Sequence, residues 1–159
     1  MINKIAEILK SKKLTVSTTE SCTGGLLSSV FTDVSGSSDF VHLNFVTYSN
    51  EAKQKILKVK KETLDKYGAV SEQTSYEMAK GLYEATGADI CISTTGIAGP
   101  TGGTSLKPVG LMYSTIYLGE MNKSKTYKTM LPSDTPRIQM KQDFVSDVLK
   151  NLYEILLKL

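Results

Sequence analysis

The sequence predicts an α/β protein, a single-domain α/β/α sandwich with a mixed β-sheet spanning residues 1–159. Three observations predict it. Apolar residues recur at helical spacing in segments that alternate with short β-branched runs. Two of those runs end in glycine-rich turns, Glu20-Ser21-Cys22-Thr23-Gly24-Gly25 and Thr94-Thr95-Gly96-Ile97-Ala98-Gly99-Pro100-Thr101-Gly102-Gly103. The length, 159 residues, suits one domain with a real core.

The elements follow in order. Ile2, Ile5, Ile8 and Leu9 set a first helix over 2–12. Leu14 to Thr18 reads as a strand that ends at Glu20. Thr23 to Val34 reads as a helix with Leu26, Leu27, Val30, Phe31 and Val34 on its apolar stripe. Phe40 to Tyr48 is rich in β-branched and aromatic residues and reads as a strand. Short helices are expected over 50–57 and 60–66, the second ended by Gly68. Ser71 is a good N-cap for a helix running to Thr86, with Gly87 closing it. Residues 89–94 read as a buried strand. Residues 109–118 and 125–131 read as an antiparallel pair turning at 119–123. Ser133, Asp134 or Thr135 is expected to cap a last helix, with Pro136 in its first position.

Composition excludes several function classes. The net charge is +3, and Arg137 is the only arginine, so no arginine-lined groove for nucleic acid is expected. His42 is the only histidine, which excludes a multi-histidine metal site. Cys22 and Cys91 have neither disulfide nor zinc spacing and fit a reducing compartment. The first residues open an amphipathic helix rather than a signal peptide, and no apolar stretch approaches a membrane span. The expectation is a cytoplasmic protein acting on a small molecule, with no nucleic-acid or membrane partner.

The glycine turns carry the chemical signal. Glycine at the carboxyl end of a strand lets the backbone approach a ligand, and a following helix N-terminus favours negative charge. Ser21 stands in the first turn, beside the N–H groups of Thr23 to Gly25, with the parts of a nucleophile and an oxyanion hole. The same position suits a helix cap. Cys22 is a rival nucleophile, expected to be buried and inert, and His42 is expected to be structural. A serine without histidine needs another base, and a buried lysine can serve. Lys53 has the best local setting, because Tyr48-Ser49-Asn50-Glu51-Ala52 brings a strand end into its helix. A solvated helix lysine is the plainer reading of the same residue.

These residues resemble a known family. Thr19-Glu20-Ser21-Cys22-Thr23-Gly24-Gly25, Phe45-Val46-Thr47-Tyr48-Ser49-Asn50-Glu51-Ala52-Lys53, Gly68-Ala69-Val70-Ser71, and Gly96-Ile97-Ala98-Gly99-Pro100-x-Gly102-Gly103 with Lys107-Pro108-Val109-Gly110 occur in that order. The chain looks like the C-terminal domain of the competence/damage-inducible CinA family. The resemblance implies an amidohydrolase that converts nicotinamide mononucleotide to nicotinic acid mononucleotide and ammonia. It implies a serine–lysine pair, Ser21 and Lys53, with Tyr48 beside it and no metal or other cofactor. Thr23, Gly24, Gly25, Asn50, Thr95, Gly96, Gly99 and Arg137 are the expected substrate-binding residues. Family members often carry a Gly-x-Arg element before the last helix, where this chain has Ser133-Asp134-Thr135-Pro136-Arg137. The resemblance, with the apolar face of the last helix, also implies a homo-oligomer. The alternative is a non-catalytic nucleotide-binding module that uses the same loops, with Ser21 as a cap and Lys53 as a phosphate contact.

Overall fold

The computed structural model describes residues 1–159. A five-stranded mixed sheet lies between two helical layers. The elements are α1 (Ile2–Lys12), β1 (Val16–Glu20), α2 (Leu26–Thr32), a 3-10 turn (Ser37–Asp39), β2 (Phe45–Val46), α3 (Asn50–Leu57) and α4 (Lys61–Tyr67). They continue with α5 (Glu72–Thr86), β3 (Ile90–Gly96), β4 (Leu111–Leu118), β5 (Lys123–Met130) and α6 (Arg137–Leu156). The strand order is β2-β1-β3-β4-β5. The first three run parallel, and β4 is antiparallel to both its neighbours.

Side-chain alternation along the strands divides the core. Val16, Ile90, Ile92, Met112 and Ile116 face α1, α2 and α6, packing with Ile5, Leu9, Leu27, Phe31, Phe144 and Val148. Cys91 and Tyr117 face α5, packing with Leu57, Leu64, Met78 and Leu82. That second face also carries hydroxyls. Ser75 Oγ on α5 lies 3.0 Å from Ser93 Oγ and 2.8 Å from Thr115 Oγ1, so polar groups buried under the helix satisfy one another.

Three expectations are corrected. The strand expected over 40–48 shrinks to Phe45–Val46, with one isolated bridge between Val16 and Val41. Side chains take over the intervening ladder: Thr18 N donates to Asn44 Oδ1 at 2.9 Å, and Leu43 N to Ser17 Oγ at 3.2 Å. The helix expected from Thr23 begins at Leu26, because Gly24 and Gly25 adopt φ of 60° and 100° and hold the chain in a turn. The cap expected at Ser133, Asp134 or Thr135 does not form. Pro136 itself is the N-cap, so α6 starts at Arg137, one residue later than expected, and Thr135 Oγ1 donates to Pro132 O instead. Ser71 does cap α5, accepting from Thr74 N at 3.1 Å, and Gly87 closes that helix in the left-handed conformation.

The apolar face of α6 is spent inside the chain. Met140, Phe144, Val145, Val148, Leu149, Leu152 and Leu156 are all buried in its own core. No helix is long and apolar enough to cross a membrane.

Helix α5 approaches α3 so closely that only glycine fits at one point. A Cβ at Gly81 would lie 1.9 Å from the Leu57 carbonyl oxygen. Gly81→Ala is expected to destabilise the fold by at least about 1–3 kcal/mol, the usual range for overpacking a tight core. Urea unfolding measures it, and an unchanged midpoint would show that the two helices separate freely.

Candidate active site

The carboxyl ends of β1 and β3 meet the start of α3 around a cavity of about 270 Å³. This is where the topology of a parallel sheet places ligands. Ser21 leaves β1 with its N–H donating to Thr94 O on β3 at 3.0 Å, which fixes the serine backbone to the sheet rim. Its side chain caps no helix. Ser21 Oγ lies 3.1 Å from Lys53 Nζ and 3.4 Å from the Tyr48 carbonyl. The N-cap of α2 is Gly25.

Lys53 comes from the first turn of α3, and its side chain is only 1% exposed. Ser49 starts that helix by accepting from Ala52 N at 3.0 Å, which aims Lys53 inward. Nζ donates to Thr47 O at 2.9 Å and Tyr48 O at 3.0 Å, besides its contact with Ser21. No carboxylate pairs with it; the one ion pair in the chain is Lys61–Asp65, on the surface. Burial without a counter-ion disfavours the ammonium form and lowers the Lys53 pKa from 10.5 to about 8. A neutral amine has two N–H bonds and one lone pair. The two carbonyls take the N–H bonds, which leaves the lone pair for the Ser21 hydroxyl.

Tyr48 serves the pair through its carbonyl, while its ring is 63% exposed at the cavity mouth. Its hydroxyl is 3.5 Å from Arg137 Nη2. Arg137 Nη1 donates to Gly99 O at 2.6 Å, so α6 is tied to the long glycine loop. Thr95 is buried and donates to Ala69 O at 2.7 Å, joining that loop's strand to the segment before α5.

Of the residues singled out in the sequence, the structure gathers Ser21, Lys53, Tyr48, Thr95, Gly96, Gly99 and Arg137 around this cavity. Thr23, Gly24, Gly25 and Asn50 lie outside its lining. Thr23 is fully buried, with its hydroxyl on Glu20 Oε1 and Thr94 Oγ1. Gly24 N closes a turn onto Ser21 O at 3.1 Å. Asn50 is exposed on the first turn of α3, where its carbonyl accepts from Gln54.

The sequence reading gave no role to the side chains of Ala69, Val70, Ile97 and Ala98, which form the apolar part of the wall. Ala69 and Val70 stood in a quoted motif without a function. It also missed Glu20. The first N–H groups of α2, those of Leu27 and Ser28, donate to the Glu20 carboxylate at 2.8 and 2.9 Å. That helix end is therefore filled from within. The N–H groups of Cys22, Ala98 and Gly99 are among the lining donors that have no protein acceptor.

Cys22 also lines the cavity, but burial pushes its thiol up to about 12, which leaves it protonated and unreactive. His42 is exposed, with Nε2 3.1 Å from Thr86 O at the end of α5, away from the cavity. A second cavity of about 290 Å³ lies at the opposite end of the sheet, among Leu14, Asp89, Leu118, Met121 and Leu159, with no serine, threonine or cysteine on its wall.

Comparison with known proteins agrees with this architecture. The chain is 47% identical over 152 residues to a CinA-like protein of Chloroherpeton thalassium, covering 96% of this chain and 36% of that one. It is 50% identical over 135 residues to a CinA-like protein of Kosmotoga olearia, covering 85% of this chain and 32% of that one. It thus spans about a third of the length of these curated relatives. Among solved structures, the competence/damage inducible protein CihA from Agrobacterium tumefaciens superposes with a TM-score of 0.92 at 37% identity, covering 96% of this chain and 92% of its own. A CinA superfamily protein from Klebsiella pneumoniae gives 0.93 at 30% identity, covering 99% and 96%. The family model described as CinA C-terminal domain matches residues 1–156, and this chain belongs to that family.

Proposed function

We propose that this protein is an amidohydrolase that deamidates nicotinamide mononucleotide by a serine–lysine mechanism. The observation that carries the reading is the Ser21–Lys53 pair: 3.1 Å apart, with the amine buried and free of any carboxylate. Ser21 Oγ attacks the carboxamide carbon while neutral Lys53 takes its proton. The tetrahedral oxyanion forms against the N–H groups of Cys22 and of the Ala98–Gly99 segment, each such donor worth ~3 kcal/mol. Lys53 then passes the proton to the departing ammonia. Water hydrolyses the acyl-enzyme with Lys53 again as base.

Two features of the cavity suit the substrate. Its lining holds the Arg137 guanidinium and no carboxylate, which favours an anionic group at the mouth. The substrate's pyridinium carries a positive charge next to its carboxamide. A cation beside Lys53 further disfavours the ammonium form, so binding promotes the base.

The deciding measurement is ammonia release from nicotinamide mononucleotide by the purified protein. Binding without turnover would assign the site to a non-catalytic module. Ser21→Ala is expected to lower turnover by at least about a thousandfold with the fold intact. Cys22→Ala is expected to keep most of the activity; a loss equal to that of Ser21→Ala would make the thiol the nucleophile.

Activity requires the neutral amine, so kcat/KM is expected to rise with pH through about 8 and level off above it. The limb for kcat is expected at lower pH than that for kcat/KM, because the bound pyridinium lowers the lysine pKa. Stability follows the same sign. Between about 8 and 10.5 the unfolded chain holds a proton at Lys53 that the folded chain has lost, so stability contributed by this group rises with pH across that window. Lys53→Met is expected to abolish the rising limb and turnover while leaving affinity within about tenfold, since a neutral base adds little ground-state attraction. Calorimetric titration checks the affinity.

Arg137 stands at the mouth, where a ribose phosphate would emerge. Arg137→Ala is expected to raise KM for the mononucleotide by about 1.5–3 kcal/mol, the range for a hydrogen bond to a charged group. The riboside, which lacks phosphate, should be unaffected. Equal losses on both substrates would instead assign Arg137 to holding the loop through Gly99 O.

A further inference from the structure

Glu20 is the one carboxylate buried completely in this chain. We infer that Glu20 is the positioning residue for Ser21: its carboxylate clamps the turn after the serine onto the strand before it. This rests on the reading of Ser21 as the nucleophile. Oε1 accepts from Thr23 Oγ1 at 2.7 Å and Leu27 N at 2.8 Å, and Oε2 accepts from Ser28 N at 2.9 Å. Thr23 Oγ1 is in turn 2.8 Å from Thr94 Oγ1, on the residue whose carbonyl receives Ser21 N. The Glu20 main chain anchors the other half of the pair. Its carbonyl accepts from Thr47 N at 2.9 Å, and the carbonyls of Thr47 and Tyr48 hold Lys53.

Helix capping alone does not explain this arrangement. A serine or aspartate at the N-cap would satisfy α2 locally. That position is Gly25, without a side chain, and the acceptor arrives instead from before Ser21. A cap delivered this way closes a ring of chain around the nucleophile. Within that ring only Gly24 N to Ser21 O and Leu26 N to Thr23 O add further backbone bonds. Without the clamp, the turn is free to carry the serine away from Lys53.

Glutamine is the informative replacement. Both Glu20 oxygens accept from backbone N–H groups, so an amide of the same shape must point its NH₂ at one of those donors. The turn has to shift to relieve that contact. A displacement of about 1 Å at a reacting group costs up to about a hundredfold in rate.

The test uses the purified full chain and a fluorophosphonate probe. Ser21 Oγ forms a bond to phosphorus, fluoride leaves, and Lys53 takes the serine proton, so the labelling rate reports the serine's placement without the natural substrate. Intact mass follows labelling, Ser21→Ala supplies the blank, and circular dichroism gives the folded fraction. Glu20→Gln is expected to label about ten- to a hundredfold more slowly per folded molecule, the cost of misplacing a reacting group. Its kcat for the mononucleotide should fall by the same factor, with KM within about threefold, the signature of a loss felt in the transition state. Thr23→Val keeps the charge and two of the three carboxylate bonds, and is expected to lose severalfold. Labelling of Glu20→Gln at the wild-type rate, or a change confined to KM, would overturn the inference. If Glu20→Gln does not fold, an unchanged rate in Thr23→Val overturns it. Wild-type labelling without ammonia release would sink the substrate reading alone. No wild-type labelling would sink the serine nucleophile and the role of Glu20 with it.

Discussion

The site depends on holding an amine in the core without a counter-ion. A lysine head group buried beside a carboxylate would be stabilised as the ammonium and would lose its value as a base. Lys53 is given only main-chain carbonyls and a hydroxyl. These satisfy its hydrogen bonds in either protonation state but do not neutralise its charge. Much of the local fold serves that arrangement. The short β2 ends at Val46, which frees the Thr47 and Tyr48 carbonyls from the ladder. Ser49 then caps α3 and turns Lys53 back over them.

Glu20 poses the opposite problem a few residues away and receives the opposite answer. Its carboxylate is surrounded by donors: two N–H groups of α2 and one hydroxyl. A helix N-terminus carries roughly half a positive charge, enough to hold a carboxylate without a cation. The buried acid and the buried amine therefore never form an ion pair, although both lie at the end of β1 and its neighbours. Each is matched to backbone dipoles of the correct sign. That separation leaves Lys53 without a counter-ion, which holds its pKa down at about 8.

The fold class was legible because the apolar residues of α1, α2 and α6 keep helical spacing, and Ser71 and Gly87 mark the two ends of α5. The region between β1 and α3 was not. There, side chains such as Asn44 and Ser17 replace strand pairing, and composition gives no signal of that exchange. The pairing of Ser21 with Lys53 was legible only through ordered motifs; the local setting singled out Lys53 but left a solvated helix lysine as the plainer reading. The substrate-binding reading was less sharp at the first turn. Thr23, Gly24 and Gly25 read as a ligand loop because a helix N-terminus follows them. The signal that this terminus is already filled was Glu20 itself, in the same motif. Its side chain has to bend back past the serine to reach α2, which no periodicity reports.

The second glycine loop shows why a glycine motif and a ligand contact are different claims. Gly99 has φ of 70°, and a Cβ there would lie 2.4 Å from Val109 Cγ1. A Cβ at Gly103 would lie 2.7 Å from Val109 N. Both glycines let the loop fold back on its own outgoing chain. The loop's ends are closed by Ile97 N to Leu111 O and Gly110 N to Ile97 O, and Arg137 holds its first turn through Gly99 O. Its length therefore does not make it slack. Self-packing on one side leaves the N–H groups of Ala98 and Gly99 without protein acceptors on the other. Unpaired donors held on a packed loop need no reorganisation when charge develops beside them, which is the condition under which such groups contribute most to a transition state. The glycines thus fix the backbone that carries the donors.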